Sequence, residues 1–80
     1  MPQIDPKAFI QKIIRLHKKD SAYLYALFEA HEGWVSYSTL VSPPGVEYCE
    51  IELTIPLGFE SEMNQLLLEL GELIYECKPA

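Results

Sequence analysis

The stretch DPKAFIQKIIRLHK, residues 5–18, decides the fold because it fits two kinds of structure. As a helix, it would begin with Asp5 as cap and Pro6 at the first helical position, and four apolar residues would share one face, namely Phe9, Ile10, Ile13 and Ile14. As a strand, it would direct Ile14 and Leu16 inward and Ile13, Arg15 and His17 outward. The local pattern slightly favours the helix, so the rest of the chain has to decide.

The middle of the chain predicts a hairpin. In EYCEIELTI, residues 47–55, apolar and polar residues alternate, which is typical of a half-buried strand. Residues 34–41, WVSYSTLV, also alternate and are rich in β-branched and aromatic side chains. The intervening SPPGV, residues 42–46, forces a turn because neither proline can donate to a strand ladder. We therefore expect an antiparallel hairpin.

A helix is predicted on each side of this hairpin. Residues 20–32 carry an apolar stripe with Asp20 or Ser21 as cap, and Gly33 should end the helix in the left-handed conformation. Residues 60–75 carry a second apolar stripe and predict a second helix. Gly71 lies inside this predicted helix, and close packing against a neighbouring element would explain a glycine there. The residues expected in the core are Ile14, Leu16, Leu24, Leu27, Phe28, Val35, Ile51, Leu53, Leu66, Leu67 and Leu70.

The overall architecture favours a strand, and not a helix, for residues 9–17, because two strands alone make a poor sheet. The prediction is one α+β domain over residues 1–80, a ferredoxin-like or ACT-like two-layer sandwich with the order β-α-β-β-α. The tail ECKPA, residues 76–80, is short and contains proline, so a fourth strand should be weak or absent. The first strand would lie antiparallel beside the third, with Arg15 facing Glu50 or Glu52. Whether residues 5–17 form a strand or a helix stays open at this stage.

The charge distribution is uneven. The net charge is −6, which disfavours binding to nucleic acid. Residues 1–20 hold five basic and two acidic residues, whereas residues 21–80 hold ten glutamates and a single base, Lys78. Pairing between the two halves explains this split better than an RNA-binding patch does. With no apolar run of about 18 residues and no signal peptide, we expect a soluble, cytoplasmic protein that does not bind membranes.

The sequence offers little catalytic chemistry. Cys49 lies in an apolar alternation and Cys77 in the tail, and two cysteines without a framework argue against a disulfide. His31 is followed by Glu-Gly-Trp and lacks the second histidine of a zinc motif, so its expected role is structural, at a helix end. His17 is expected to be solvated. We therefore predict no catalytic, cofactor-binding or metal-binding residue.

Three segments resemble a family of small bacterial proteins of unknown function, domain of unknown function 4911. They are KKDSAYLYALFEAHEGWVSYSTL (18–40), IELTIP (51–56) and EMNQLLLELGELI (62–74), so the likeness covers about residues 13–75. The resemblance implies the fold and supplies no functional residue to transfer. ACT domains that bind amino acids usually carry a glycine between the first strand and the first helix. Here that connection is HKKDS, residues 17–21, which puts the usual effector site in doubt.

Three classes of function remain. We favour a homodimeric interaction or regulatory module without catalysis. The alternatives are an ACT-like small-molecule sensor and, less favoured, a small dimeric α/β-barrel enzyme, for which His31 is the visible candidate. The dimer would use an unpaired edge of the first strand or the open sheet face, and the predicted interface residues are Ile13, Arg15, Trp34, Tyr48 and Glu50. A small ligand or another protein is a possible further partner that the sequence does not identify.

Overall fold

The computed structural model describes residues 9–31 and 33–80, so the predicted cap at Asp5 and Pro6 lies outside the described residues. Its four-stranded antiparallel sheet has the order β2-β3-β1-β4. The elements are β1 (Phe9–His17), a 3-10 turn (Lys18–Asp20), α1 (Ser21–Ala30), β2 (Ser36–Thr39), β3 (Tyr48–Pro56), a 3-10 turn (Leu57–Phe59), α2 (Glu60–Glu69) and β4 (Ile74–Pro79). This is a ferredoxin-like α+β fold. Over the described ranges, no helix is long and apolar enough to cross a membrane.

The prediction that residues 9–17 form a strand is confirmed. β1 lies between β3 and β4 in the centre of the sheet, with Ile14 opposite Ile51 and Leu16 opposite Cys49. Ile14 and Leu16 are completely buried, as the strand pattern predicted. The sheet thus overrides the local preference for a helix, because a central strand satisfies its backbone groups on both sides.

The prediction of a weak or absent fourth strand is wrong. Residues 74–79 form β4, which pairs antiparallel with β1 along the edge that we expected to be free. The strand can form because α2 ends at Glu69 and not near residue 75. Gly71 therefore lies in the turn after the helix, where a Cβ atom would stand 3.2 Å from the Leu68 carbonyl oxygen. An unpaired β1 edge is consequently not available to a second copy.

Both helices pack on one face of the sheet. Leu24 and Phe28 of α1 and Met63 of α2 join the inward row of β1 and β3 in a single core. The buried hydrophobic residues are Ile14, Leu16, Leu24, Phe28, Val35, Cys49, Ile51, Leu53, Ile55, Met63 and Leu70. Three residues expected in the core, Leu27, Leu66 and Leu67, are only partly buried because they pack against its margin.

The turn at Gly33 confirms the predicted left-handed glycine, whose φ is 94°. The helix itself ends earlier than predicted, at Ala30, and the His31 N–H donates to the carbonyl oxygens of Leu27 and Phe28. The Trp34 N–H then donates to the His31 carbonyl oxygen at 3.0 Å and closes the turn. This tight reversal brings the chain from the helix layer back to the sheet.

Candidate functional site

An ion pair occupies the middle of the open sheet face, on the side away from the helices. Arg15 on β1 lies directly opposite Glu50 on β3, which is one of the two glutamates predicted to face it, and Arg15 Nη2 is 3.3 Å from Glu50 Oε2. The Arg15 guanidinium carbon also lies 4.3 Å from the centre of the Tyr48 ring, which is a cation–π contact. Alternation along β1 and β3 produces this arrangement, because it sends these side chains away from the core.

β4 extends the same network. Lys78 Nζ lies 3.9 Å from Glu50 Oε2 and 3.7 Å from Glu76 Oε1. The open-face cluster therefore comprises Arg15, Tyr48, Glu50, Glu76 and Lys78, and it spans three neighbouring strands. Sequence analysis missed the two β4 members because it did not recognise that strand.

One nitrogen in the open-face cluster has no partner. Arg15 Nε is buried and makes no hydrogen bond within the part of the chain that the structure describes. Ile13, two residues earlier on β1, adds a partly buried apolar side chain to the same face, opposite Glu52. The result is an amphipathic surface with a hydrogen-bond donor that is already desolvated.

Trp34 does not lie on this surface, although the prediction placed it there with the other interface residues. β2 begins only at Ser36, so Trp34 lies in the turn before it and does not follow the strand alternation. Its ring stacks on His31 with centroids 4.6 Å apart and on Phe59 with centroids 5.7 Å apart. Trp34 thus packs against the helix layer and the core. The structure brings four of the five predicted interface residues together and leaves Trp34 on the other side.

The two histidines have structural contacts. His17 Nδ1 accepts a hydrogen bond from the Lys19 N–H at 3.1 Å and caps the 3-10 turn, so this histidine is not simply solvated. His31 stacks on Trp34 at the end of α1. Across residues 9–31 and 33–80, no group of three histidine, cysteine or acidic side chains is arranged to hold a metal ion.

Both thiols are free, and their environments differ. Cys49 is buried in the core, where burial raises the pKa of its thiol although the nearby charge of Lys18 opposes that shift. Cys77 is exposed on β4. The raised pKa of the Cys49 thiol is the opposite of what an activated nucleophile needs.

A second feature, missed by sequence analysis, lies on the helix side between α2 and β4. It is a groove of about 520 Å³ that contains Lys12, whose Nζ donates to Asn64 Oδ1 at 2.9 Å. The signal was present in the sequence, because Lys12 shares the inward phase of β1 with Ile14 and Leu16. We refer to this feature as the α2–β4 groove.

Neither a protein-family model nor a curated protein matches this sequence. Among solved structures, the chain is similar to the solution structure of a hypothetical protein from Helicobacter pylori. The two are 13% identical, the match covers 95% of each chain, and the TM-score is 0.61. At this identity the likeness supports the fold alone. Membership of domain of unknown function 4911 stays a prediction, and the structural comparison agrees with the small α+β fold described above.

Proposed function

We propose that this protein is a non-catalytic interaction or regulatory module that forms a homodimer through the open face of its sheet. The observation that carries the proposal is the part-exposed mixture of opposite charges on that face, where Arg15 and Lys78 lie beside Glu50 and Glu76. In a homodimer, the cations of one copy would meet the carboxylates of the twin.

The charges of the open face suit a twofold axis. The open-face cluster contains two cations, Arg15 and Lys78, beside the carboxylates of Glu50 and Glu76. A twofold interface uses the same patch on both copies, so it requires a surface that complements itself. Basic and acidic groups side by side meet this requirement, and Ile13 adds apolar area.

Pairing through the sheet edges is less favourable. The β2 edge has four residues, and the β4 edge has six and ends at Pro79. Because the Ala80 N–H donates inward to the Gln11 carbonyl oxygen, the nitrogen of Pro79 faces the free edge, where it has no hydrogen to donate. Short strands and an edge proline are features that oppose edge-to-edge association. The face is therefore the better candidate, and we expect it to bury more than about 1,000 Å² in total.

The sequence also suggested an enzyme with His31 inside an apolar cavity. His31 instead borders a shallow hollow with Trp34, close to the α2 carboxylates Glu62 and Glu69. A catalytic histidine would need a positioned nucleophile or substrate proton, and its stacking on Trp34 supports a structural role. This position favours the non-catalytic module over the enzyme.

Light scattering coupled to gel filtration at micromolar concentration tests the proposal. We expect a mass twice the 9.2 kDa of one chain. The double variant Ile13→Glu and Tyr48→Glu adds two charges to the open face and should be monomeric while circular dichroism shows that it remains folded.

The matched control adds the same charges on the helix side. Leu68 and Tyr23 are 76% and 57% exposed, so Leu68→Glu with Tyr23→Glu should leave the dimer intact. A monomeric unsubstituted chain contradicts the proposal. Equal dissociation of both double variants would show that the open face is not the interface.

A further inference from the structure

We propose that the α2–β4 groove is a binding site for a small organic carboxylate with an apolar tail. The site lies on the helix side of the sheet, opposite the open-face cluster. The two proposals are therefore independent, and either can fail without the other.

The walls of the groove are mainly apolar. Leu67 and Leu68 of α2 form one wall, and Ile74, Tyr75 and Cys77 at β4 form the other. The groove exists because α2 ends at Glu69 and leaves the helix side of β4 uncovered, with Leu68 76% exposed and Tyr75 59% exposed. Its volume of about 520 Å³ lies in the range of small-molecule sites in proteins.

Lys12 gives the groove its chemical character. The side chain is in the inward phase of a central strand, where its neighbours in the row, Ile14 and Leu16, are completely buried. Its ammonium group is held by a neutral amide, with Nζ 2.9 Å from Asn64 Oδ1. Among the residues that the structure describes, no carboxylate lies within 4.0 Å of this ammonium. Glu76 also borders the groove, but its carboxylate contacts Lys78.

This isolated ammonium is unusual in a chain with a net charge of −6. An ammonium group has three donors, and the bond to Asn64 uses one of them. Two donors therefore remain for a ligand, and the amide of Asn64 fixes the position of the nitrogen. A carboxylate would supply the missing negative charge.

The groove suits a monovalent carboxylate better than a phosphate. It contains a single cation, and its lining runs from Asn64 in the middle of α2 through Leu67 and Leu68 near the C-terminus of that helix to Gly71 in the following turn. A helix C-terminus carries partial negative charge, which opposes an anion in proportion to its charge, so a monovalent carboxylate is opposed less than a polyvalent phosphate. The apolar walls would hold a hydrocarbon tail, as the hydrophobic effect requires.

The test is a titration of the ¹⁵N-labelled full chain with octanoate, with 1-octanol and octylamine as ligands of the same length. We expect octanoate to shift the amide signals of groove residues and to bind at least about tenfold more tightly than 1-octanol, because a hydrogen bond to a charged group contributes that much. Lys12→Met keeps the length of the side chain and should remove this preference. Lys19→Met, at an exposed position in the 3-10 turn, changes the net charge equally and should preserve it.

Cys77 provides a second readout because its exposed thiol lines the groove. Octanoate should slow alkylation of Cys77 by iodoacetamide in the unsubstituted chain and in Lys19→Met, but not in Lys12→Met. Equal affinity for octanoate and 1-octanol, or an unchanged octanoate affinity in folded Lys12→Met, would overturn the proposal. Octylamine binding as tightly as octanoate would overturn it as well.

Discussion

Arg15 and Glu50 face each other across β1 and β3, with Arg15 Nη2 3.3 Å from Glu50 Oε2, and the next pair in the same ladder, Ile14 and Ile51, is completely buried on the opposite face. One register therefore sets both the charge pair and the core. A slip of one residue in either strand would move that strand's two side chains in these pairs to the wrong face, so the ion pair and the apolar pair specify the same alignment.

The Arg15–Glu50 pair should make a small, salt-sensitive contribution to stability. The two side chains are 33% and 23% exposed, so we expect a coupling of about 0.5–1 kcal/mol from a double-mutant cycle with Arg15→Met and Glu50→Gln. Urea unfolding at low protein concentration measures it. The coupling should shrink toward zero at about 1 M salt, where screening extends over only a few ångströms. A coupling near zero at low salt would contradict this prediction.

Leu53 should be essential to the core. It is completely buried on β3, and Leu53→Ala should lower the free energy of unfolding by about 2–5 kcal/mol because the small domain cannot refill the cavity. Leu68→Ala is the matched control, since Leu68 is 76% exposed and its truncation should change stability by less than about 0.5 kcal/mol. Urea unfolding compares the two, and equal losses would contradict the assigned core.

Substitution of Gly33 should lower the stability of the protein through backbone conformation alone. Its φ is 94°, yet a Cβ atom there would meet nothing within 4 Å, so Gly33→Ala should cost about 1 kcal/mol through backbone strain. Gly58 has equally open surroundings and no positive φ, and Gly58→Ala should be close to neutral. Thermal unfolding of the two variants separates strain from crowding. A neutral Gly33→Ala would show that the turn can adopt another conformation.

Alternation was the reliable signal in this sequence. It correctly predicted the faces of β1 and β3, and it left Glu50 and Glu52 as the two candidates opposite Arg15, of which the register selects Glu50. The choice of strand over helix for residues 9–17 needed the other elements, because the local pattern did not exclude a helix. Here tertiary pairing decided between two locally acceptable conformations.

β4 and the position of Trp34 were not predictable in the same way. β4 reads IYECKP, which carries charges and a proline, and an edge strand exposed at every residue after Ile74 shows no apolar alternation. Trp34 lies two residues before β2, so extending the strand phase back to it gave the wrong face. Its contact with Phe59 joins residues distant in sequence, which no local pattern reports. Lys12 differs from both, since the phase of β1 contains the signal for its inward position although that position was not predicted.

The two cysteines should differ strongly in reactivity. Cys77 is exposed, whereas burial of Cys49 both blocks access and raises the pKa of its thiol. In the native protein, Ellman's reagent should therefore modify Cys77 quickly and leave Cys49 unmodified until the chain unfolds. Cys77→Ser should abolish the fast phase, and Cys49→Ser should leave it unchanged. Two fast thiols in the folded chain would contradict the burial of Cys49.

Tyr37 should titrate above the ordinary tyrosine pKa of about 10. Its hydroxyl donates to Glu29 Oε1 at 2.9 Å, and this hydrogen bond is the main cause of the raised pKa, followed by desolvation and by the negative charge of Glu29. The folded state holds the Tyr37 proton more tightly than the unfolded state does. The resulting stabilisation is therefore complete below pH of about 10 and is lost as the pH rises through the folded pKa.

NMR titration of the tyrosine ring carbons measures the shift, and Tyr37→Phe assigns the signal among the five tyrosines. Glu29→Gln should move the pKa of Tyr37 down toward the ordinary value, because it removes both the charge and the carboxylate acceptor. An unchanged Tyr37 pKa in Glu29→Gln would show that the hydrogen bond is not its cause.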